Sequence, residues 1–258
     1  MTDVDWSRQR SWGVRLDWGL AGARTLGPHS ACVVVVDVLS FTTSVSVAVD
    51  AGTQVLPYPW RDGAAAEFAA EADAVLAVGR RAVSADQPWS LSPAALRRAP
   101  ATPRLVLPSP NGSAISAAVN GVPVVAACLR NATAVARWIA QQGWGSVDHP
   151  VTVIAAGEHW PGQNVLRPAV EDWLGAGAVA SALAARETGA LSPEALAAKA
   201  SHDGTDNIPT MIANCASGRE LATGGFSDDV AIATELDTSN AVPLLVDGAF
   251  TDVASLRS

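Results

Sequence analysis

Val33-Val34-Val35-Val36-Asp37-Val38-Leu39-Ser40-Phe41-Thr42-Thr43 is the stretch on which the reading of this chain turns. Four consecutive β-branched residues without a polar partner describe a strand buried on both faces, the kind found in parallel sheets covered by helices. The run then closes on a carboxylate and opens into Ser and Thr, residues that start helices. The same passage from apolar strand to polar helix start recurs at Leu105-Val106-Leu107-Pro108-Ser109-Pro110-Asn111-Gly112-Ser113, at Val124-Val125-Ala126-Ala127-Cys128-Leu129-Arg130-Asn131-Ala132-Thr133 and at Val151-Thr152-Val153-Ile154-Ala155-Ala156-Gly157-Glu158. In a parallel sheet such strand ends share one edge, where open α/β folds bind their ligands.

Outward from these four stretches, periodicity predicts strands at 31–37, 53–58, 74–79, 104–108, 122–128 and 151–156, with weaker ones at 12–17 and 244–246. Helices are predicted at 42–51, 63–72, 112–120, 133–142, 168–187, 193–201, 217–223 and 227–236. The alternation specifies an α/β protein, a three-layer α/β/α arrangement with a largely parallel or mixed central sheet. Residues 84–92 and 203–207 read as polar connections too short to be interdomain linkers. One compact unit over 1–258 is expected, with the sheet in about 1–189 and a mostly helical second lobe over 190–258.

Composition narrows the function. At 49% hydrophobic and 16% charged residues the chain is globular, and no run approaches the roughly 20 apolar residues of a membrane span. Met1 to Arg10 carries Asp3, Asp5, Arg8 and Arg10 in place of a signal-peptide core, so a cytoplasmic protein is expected. Cys32, Cys128 and Cys215 form no CxxC pair and read as buried thiols. A net charge of −8 with Lys199 as the sole lysine supplies no basic stripe for nucleic acid. An anionic small molecule would then need helix N-termini, arginines or a metal.

Asp37 is the sharpest single residue, because a carboxylate closing a valine run is costly unless it caps, pairs or binds metal. Ser40, Thr42, Thr43, Ser109, Asn111, Gly112, Ser113, Asn131 and Thr133 stand where a phosphate cradle of helix N-termini needs hydroxyls, amides and close backbone, although Ser, Thr and Asn also cap ordinary helices. Glu171 and Asp172, in the first turn of the 168–187 helix, could complete a Mg2+ site with Asp37, and Glu158 is a further acid. Gly175 and Gly177 permit that helix a close approach to its neighbours. Arg130, Arg167 and Arg219 are the candidate phosphate clamps.

Other chemistries fail on spacing. Six positions after the cysteines stand Val38, Ala134 and Leu221, so no Cys-x5-Arg loop exists. Walker A, G-x-S-x-G and HExxH patterns are absent. An aspartyl-phosphate mechanism on Asp37, in the haloacid-dehalogenase manner, would place a general acid two residues later, where Leu39 stands. His29, His149, His159 and His202 have no ligand spacing; His159 beside Glu158 reads as a solvated loop histidine or an acid–base group. Trp160, in a Gly- and Pro-flanked loop, is the tryptophan placed nearest a pocket.

As a set, the motifs resemble the 2-phosphosulfolactate phosphatase family: Val36-Asp37-Val38-Leu39 followed by Thr42-Thr43, Ser109-Pro110-Asn111-Gly112, Leu129-Arg130-Asn131-Ala132, Ala155-Ala156-Gly157-Glu158 followed by Glu171-Asp172 and Ala176-Gly177, and Ser217-Gly218-Arg219-Glu220-Leu221. The resemblance runs in order from about Ala31 to Gly248. It implies a Mg2+-dependent phosphatase of coenzyme M biosynthesis that acts on a small anionic phosphoester, with Asp37, Asn111, Asn131, Glu171, Asp172 and Arg219 as site residues. Neither nucleic acid nor membrane is an expected partner, and a homodimer is compatible with the reading. The resemblance also expects an arginine three residues after the aspartate, where this chain has Ser40. Two alternatives stand beside hydrolysis by water: a phosphoenzyme on Asp37, and a binder of small anions without turnover.

Overall fold

A computed structural model describes residues 5–59 and 63–257, and in it the quoted valines are the strand β2 (Cys32–Val36), every residue of which is buried. Each such valine contributes about 1.5–3 kcal/mol by leaving water, which is why the run is held at the centre of the sheet. Strand β1 is Val14–Trp18, β3 Gln54–Tyr58, β4 Val75–Leu76, β5 Arg104–Pro108, β6 Val124–Ala127 and β7 Val151–Ala155. A small ladder pairs β8 (Glu158–His159) with β9 (Leu166–Arg167). The late strand β10 is Pro243–Val246, and it turns at Asp247-Gly248 into β11, Ala249–Asp252, a strand the sequence reading missed. Asp247 and Gly248 both have positive φ, the signature of the tight hairpin that an Asp-Gly pair favours.

The helices are α1 (Gly19–Leu26), α2 (Phe41–Asp50), α3 (Ala64–Glu71), α4 (Pro93–Arg98), α5 (Gly112–Ala118), α6 (Ala132–Gln141), α7 (Val170–Ala184), α8 (Pro193–Asp203), α9 (Ile208–Asn214), α10 (Ala216–Thr223) and α11 (Ser227–Ala233). Of these, α1, α4 and α9 were not expected from the sequence. One core, containing β2, β6, β7, α6 and α7 side chains, lies on one sheet face, and a second, containing α2, α5 and Phe250, lies on the other. The α/β class and its layered plan are thus as read. No helix among the described residues is long and apolar enough to cross a membrane.

Strand order is β1-β7-β2-β6-β10-β11-β3-β5-β4. β1, β7, β2 and β6 run parallel, as do β3, β5 and β4. Between the two groups sits the β10–β11 hairpin, antiparallel to β6 on one side and to β3 on the other. Three antiparallel steps reverse direction, so the two parallel groups run in opposite senses. The expectation that all strand ends share one edge is therefore corrected. What brings them together is bending: each flank of the hairpin is joined by one residue pair, Leu244 to Val125 and Phe250 to Val55, which leaves the sheet free to curl there.

The curl wraps helix α2. From Phe41 to Val49 every residue of α2 is buried, and the helix touches β3, β6, β10 and β11. A flat sheet would hold β2 and β5 about 24 Å apart, five steps of about 4.8 Å. Instead Gly112 N, just past β5, donates to Asp37 Oδ2, just past β2, at 2.9 Å.

Candidate active site

Asp37 leaves β2 with its carboxylate turned back onto the chain: Oδ1 accepts the Phe41 N–H at 3.0 Å and Oδ2 the Gly112 N–H at 2.9 Å. It thereby caps α2 and α5 together. Gly112 has no room for a side chain, because a Cβ would lie 2.3 Å from Phe41 Cδ1 and 2.8 Å from Asp37 Oδ2. Asp172, in the first turn of α7, does the corresponding work on the other side. Its Oδ1 accepts Val38 N–H at 2.7 Å and its Oδ2 accepts Gly157 N–H at 2.8 Å, tying the ends of β2 and β7. Gly175 makes this seating possible, since a Cβ there would meet Val38 Cγ2 at 2.6 Å.

Two more acids complete the group. Glu158, on β8, accepts from Asn111 Nδ2 at 3.0 Å, and Asn111 Oδ1 lies 3.1 Å from His159 Nδ1. Glu171 is buried, with Oε2 held by the Cys215 thiol at 3.2 Å and Oε1 without a partner among the described residues. Burial and neighbouring negative charge raise Glu158, Asp37 and Asp172. Glu158 is pushed up to about 7 by burial first and then by the charge of Asp37. Asp37 and Asp172 also lie above the usual carboxylate range, again chiefly through burial, with Glu171 adding to both. The Cys215 thiol, desolvated and facing Glu171, is raised to about 12 and stays protonated.

Asp37, Ser40, Ser109, Asn111 and Glu158 line a cavity of about 390 Å³. Beyond it lies a second of about 450 Å³ lined by Arg80, Arg81, Ser217 and Phe226, and the two share Leu39, Arg80 and Glu158 as their common wall. Asp172 and Glu171 stand behind this wall, lining neither cavity.

The remaining expected site residues have other employment. Thr42 Oγ1 hydrogen-bonds the Asp37 backbone, Thr43 Oγ1 donates to Val38 O, and Ser113 Oγ to Leu107 O, so these hydroxyls lock turns. Asn131 is wholly buried; its Oδ1 accepts Cys128 N–H and its Nδ2 reaches Ala126 O and Ala241 O. Arg130 is spent on ion pairs with Asp50 and Glu235. Arg219 is exposed and donates to Asn214. Thr133 binds Asp237. Arg167 alone of the three proposed clamps lies beside the site, opposite Glu158 in the β8–β9 ladder. Trp160 is half exposed at that hairpin's tip and lines neither cavity.

The cation that sequence reasoning missed is Arg80. It follows β4 and donates from Nη2 to Ser40 Oγ at 2.6 Å, so the serine standing where the resemblance expects an arginine receives one from another strand. Gly79-Arg80-Arg81 ends a predicted strand and was available as a signal, but it lacks the Ser, Thr or Asn that marked the other turns.

A divalent cation suits this donor set. Hard carboxylate oxygens crowded enough to raise one another gain from a shared positive charge. Among the described residues no three His, Cys, Asp or Glu side chains form a ready metal cage. That is compatible with Mg2+, which takes one or two carboxylates and fills the rest of its shell with water and phosphate oxygens.

A family model described as 2-phosphosulpholactate phosphatase matches residues 24–248 of the chain. Comparison with curated proteins gives no significant match.

Proposed function

Because the chain belongs to the 2-phosphosulpholactate phosphatase family, phosphoric monoester hydrolases, we propose that it hydrolyses a small acidic phosphoester with Mg2+ at the Asp37 cavity. The observation that carries this reading is that Asp37 and Glu158 line one cavity while Glu171 and Asp172, from a third segment, are buried close by, with the charge of Glu171 raising the other three. Phosphoryl transfer asks a protein chiefly to position its reactants and to neutralise charge. Asp37, which lines the cavity, would hold Mg2+ with Glu171 behind it, and the ion would supply the positive charge that the phosphoryl oxygens require. Asp172 fixes the two loops that carry Asp37 and Glu158.

Glu158 is the acid–base group. Raised to about 7, it is partly protonated near neutrality and can give its proton to a leaving alkoxide. In the proposed step a water oxygen forms a bond to phosphorus while the ester P–O bond breaks. The Glu158 proton passes to the departing oxygen, one water proton returns to Glu158, and the other leaves on hydrogen phosphate. Direct attack by water is preferred to a phosphoenzyme because both Asp37 oxygens already accept main-chain N–H groups and a buried Leu39 stands where the partner acid would be needed. Phosphate release from phospholactate should require Mg2+, cease with EDTA, and fall at least about a hundredfold in Asp37→Asn. Release that persists undiminished in EDTA would refute the metal.

A further inference from the structure

We propose that Arg80 determines substrate specificity by holding the second acidic group of the phosphoester, a carboxylate or sulfonate, in the 450 Å³ chamber beside the Asp37 cavity. This rests on the phosphatase reading above. A substrate with two acidic groups meets a site rich in carboxylates, and the proposed Mg2+ would serve the phosphoryl end alone. The other end needs a cation of its own. Among the described residues, Arg80 and Arg81 are the only positive ones lining either cavity, and of the two Arg80 lines both.

Arg80 is built for that position. Its Nε donates to Asp229 Oδ2 at 2.9 Å, and Asp229 is a buried carboxylate that also accepts from Ser92 Oγ and Ala94 N. Nη2 is held by Ser40, and the guanidinium carbon lies 5.8 Å from the centre of the Phe226 ring. Orientation is thus fixed on two sides while Nη1 keeps no protein partner among the described residues. In the lining of the same chamber, Ser217 is 95% buried and its Oγ has no hydrogen-bond partner among the described residues. A buried hydroxyl left unpaired is costly unless something else uses it. A bound carboxylate or sulfonate would accept from both Nη1 and Ser217 Oγ, and such charge-assisted bonds discriminate strongly against a ligand without the acid.

The test compares phospholactate with isopropyl phosphate, the same ester with a methyl group in place of its carboxylate, in wild type, Arg80→Met, Arg80→Lys and Ser217→Ala. Wild type should favour phospholactate in kcat/KM, Arg80→Met should shrink that ratio about 10- to 100-fold, and Ser217→Ala, which removes one atom and leaves the fold intact, about 3- to 10-fold. Arg80→Lys should recover part of the ratio. A ratio unchanged in Ser217→Ala and in folded Arg80→Met or Arg80→Lys overturns the proposal, whereas loss of both substrates in equal measure would assign Arg80 to the phosphoryl group and overturn it too. If wild type releases no phosphate from either compound, the phosphatase reading falls, and the same ratio taken from dissociation constants still decides the subsite. Adding phosphosulfolactate as a third substrate separates sulfonate from carboxylate: an Arg80→Met loss larger there than for phospholactate assigns the chamber to the sulfonate.

Discussion

Gly112 shows how little freedom a single residue has when two helix starts share one carboxylate. A methyl group at this position would press on the Phe41 ring and on Asp37 Oδ2 at once, and neither neighbour is free to give way, since Asp37 is held by two N–H donors. Gly112→Ala should cost about 1–3 kcal/mol, measurable as a lower urea midpoint, and should weaken phosphate release beyond that. Asp37 itself was legible from sequence because a carboxylate at the end of four valines has no cheap explanation. Arg80 was not, because nothing in an exposed-looking Arg-Arg pair announces that a buried aspartate 149 residues away orients it.

Among elements, the turns after β5 and β6 look alike in sequence and differ in role. Asn111 after β5 faces a cavity and meets Glu158, while Asn131 after β6 turns inward and binds three main-chain groups. The difference arises in the partner: β10 arrives beside β6 and offers Ala241 O to Asn131, and no local pattern encodes that arrival. Asn131→Ala should leave Cys128 N–H, Ala126 O and Ala241 O short of a partner, lower stability by about 3 kcal/mol, and drop Tm by roughly 6–12 °C. A Tm within a degree or so of wild type would return Asn131 to the substrate side. The Asp247-Gly248 hairpin, by contrast, carries a strong local signal, an Asp-Gly pair directly after the strand expected at 244–246, and β11 is the strand that signal calls for.

For the whole molecule, the acidic balance makes stability a function of pH and metal. Asp37, Glu158 and Asp172 hold protons more tightly folded than unfolded, so between about 4 and 7 the native state binds more protons than the unfolded one. Unfolding free energy then falls as pH rises through that window, the reverse of a salt-bridged acid. Without metal, Tm should be higher at pH 5 than at pH 7.5 by on the order of 5 °C, and Mg2+ should raise it more at pH 7.5, where the carboxylates are ionised. A thermal scan showing no Mg2+ response at pH 7.5 would count against the ion. The layered α/β plan was readable because each buried strand declares itself, but the opposite sense of the two strand groups was not, since it is set by which neighbours the last strands choose.

That choice has a temporal side. During synthesis the ribosome delivers Asp37 and Asn111 first, and the hairpin that joins their two strand groups follows more than a hundred residues after Asn111. Until Pro243 to Asp252 are threaded between β6 and β3, the nascent chain holds two half-sheets with exposed edges and no assembled pocket. A chain that stops short of β10 therefore lacks the strands that join its two parallel groups.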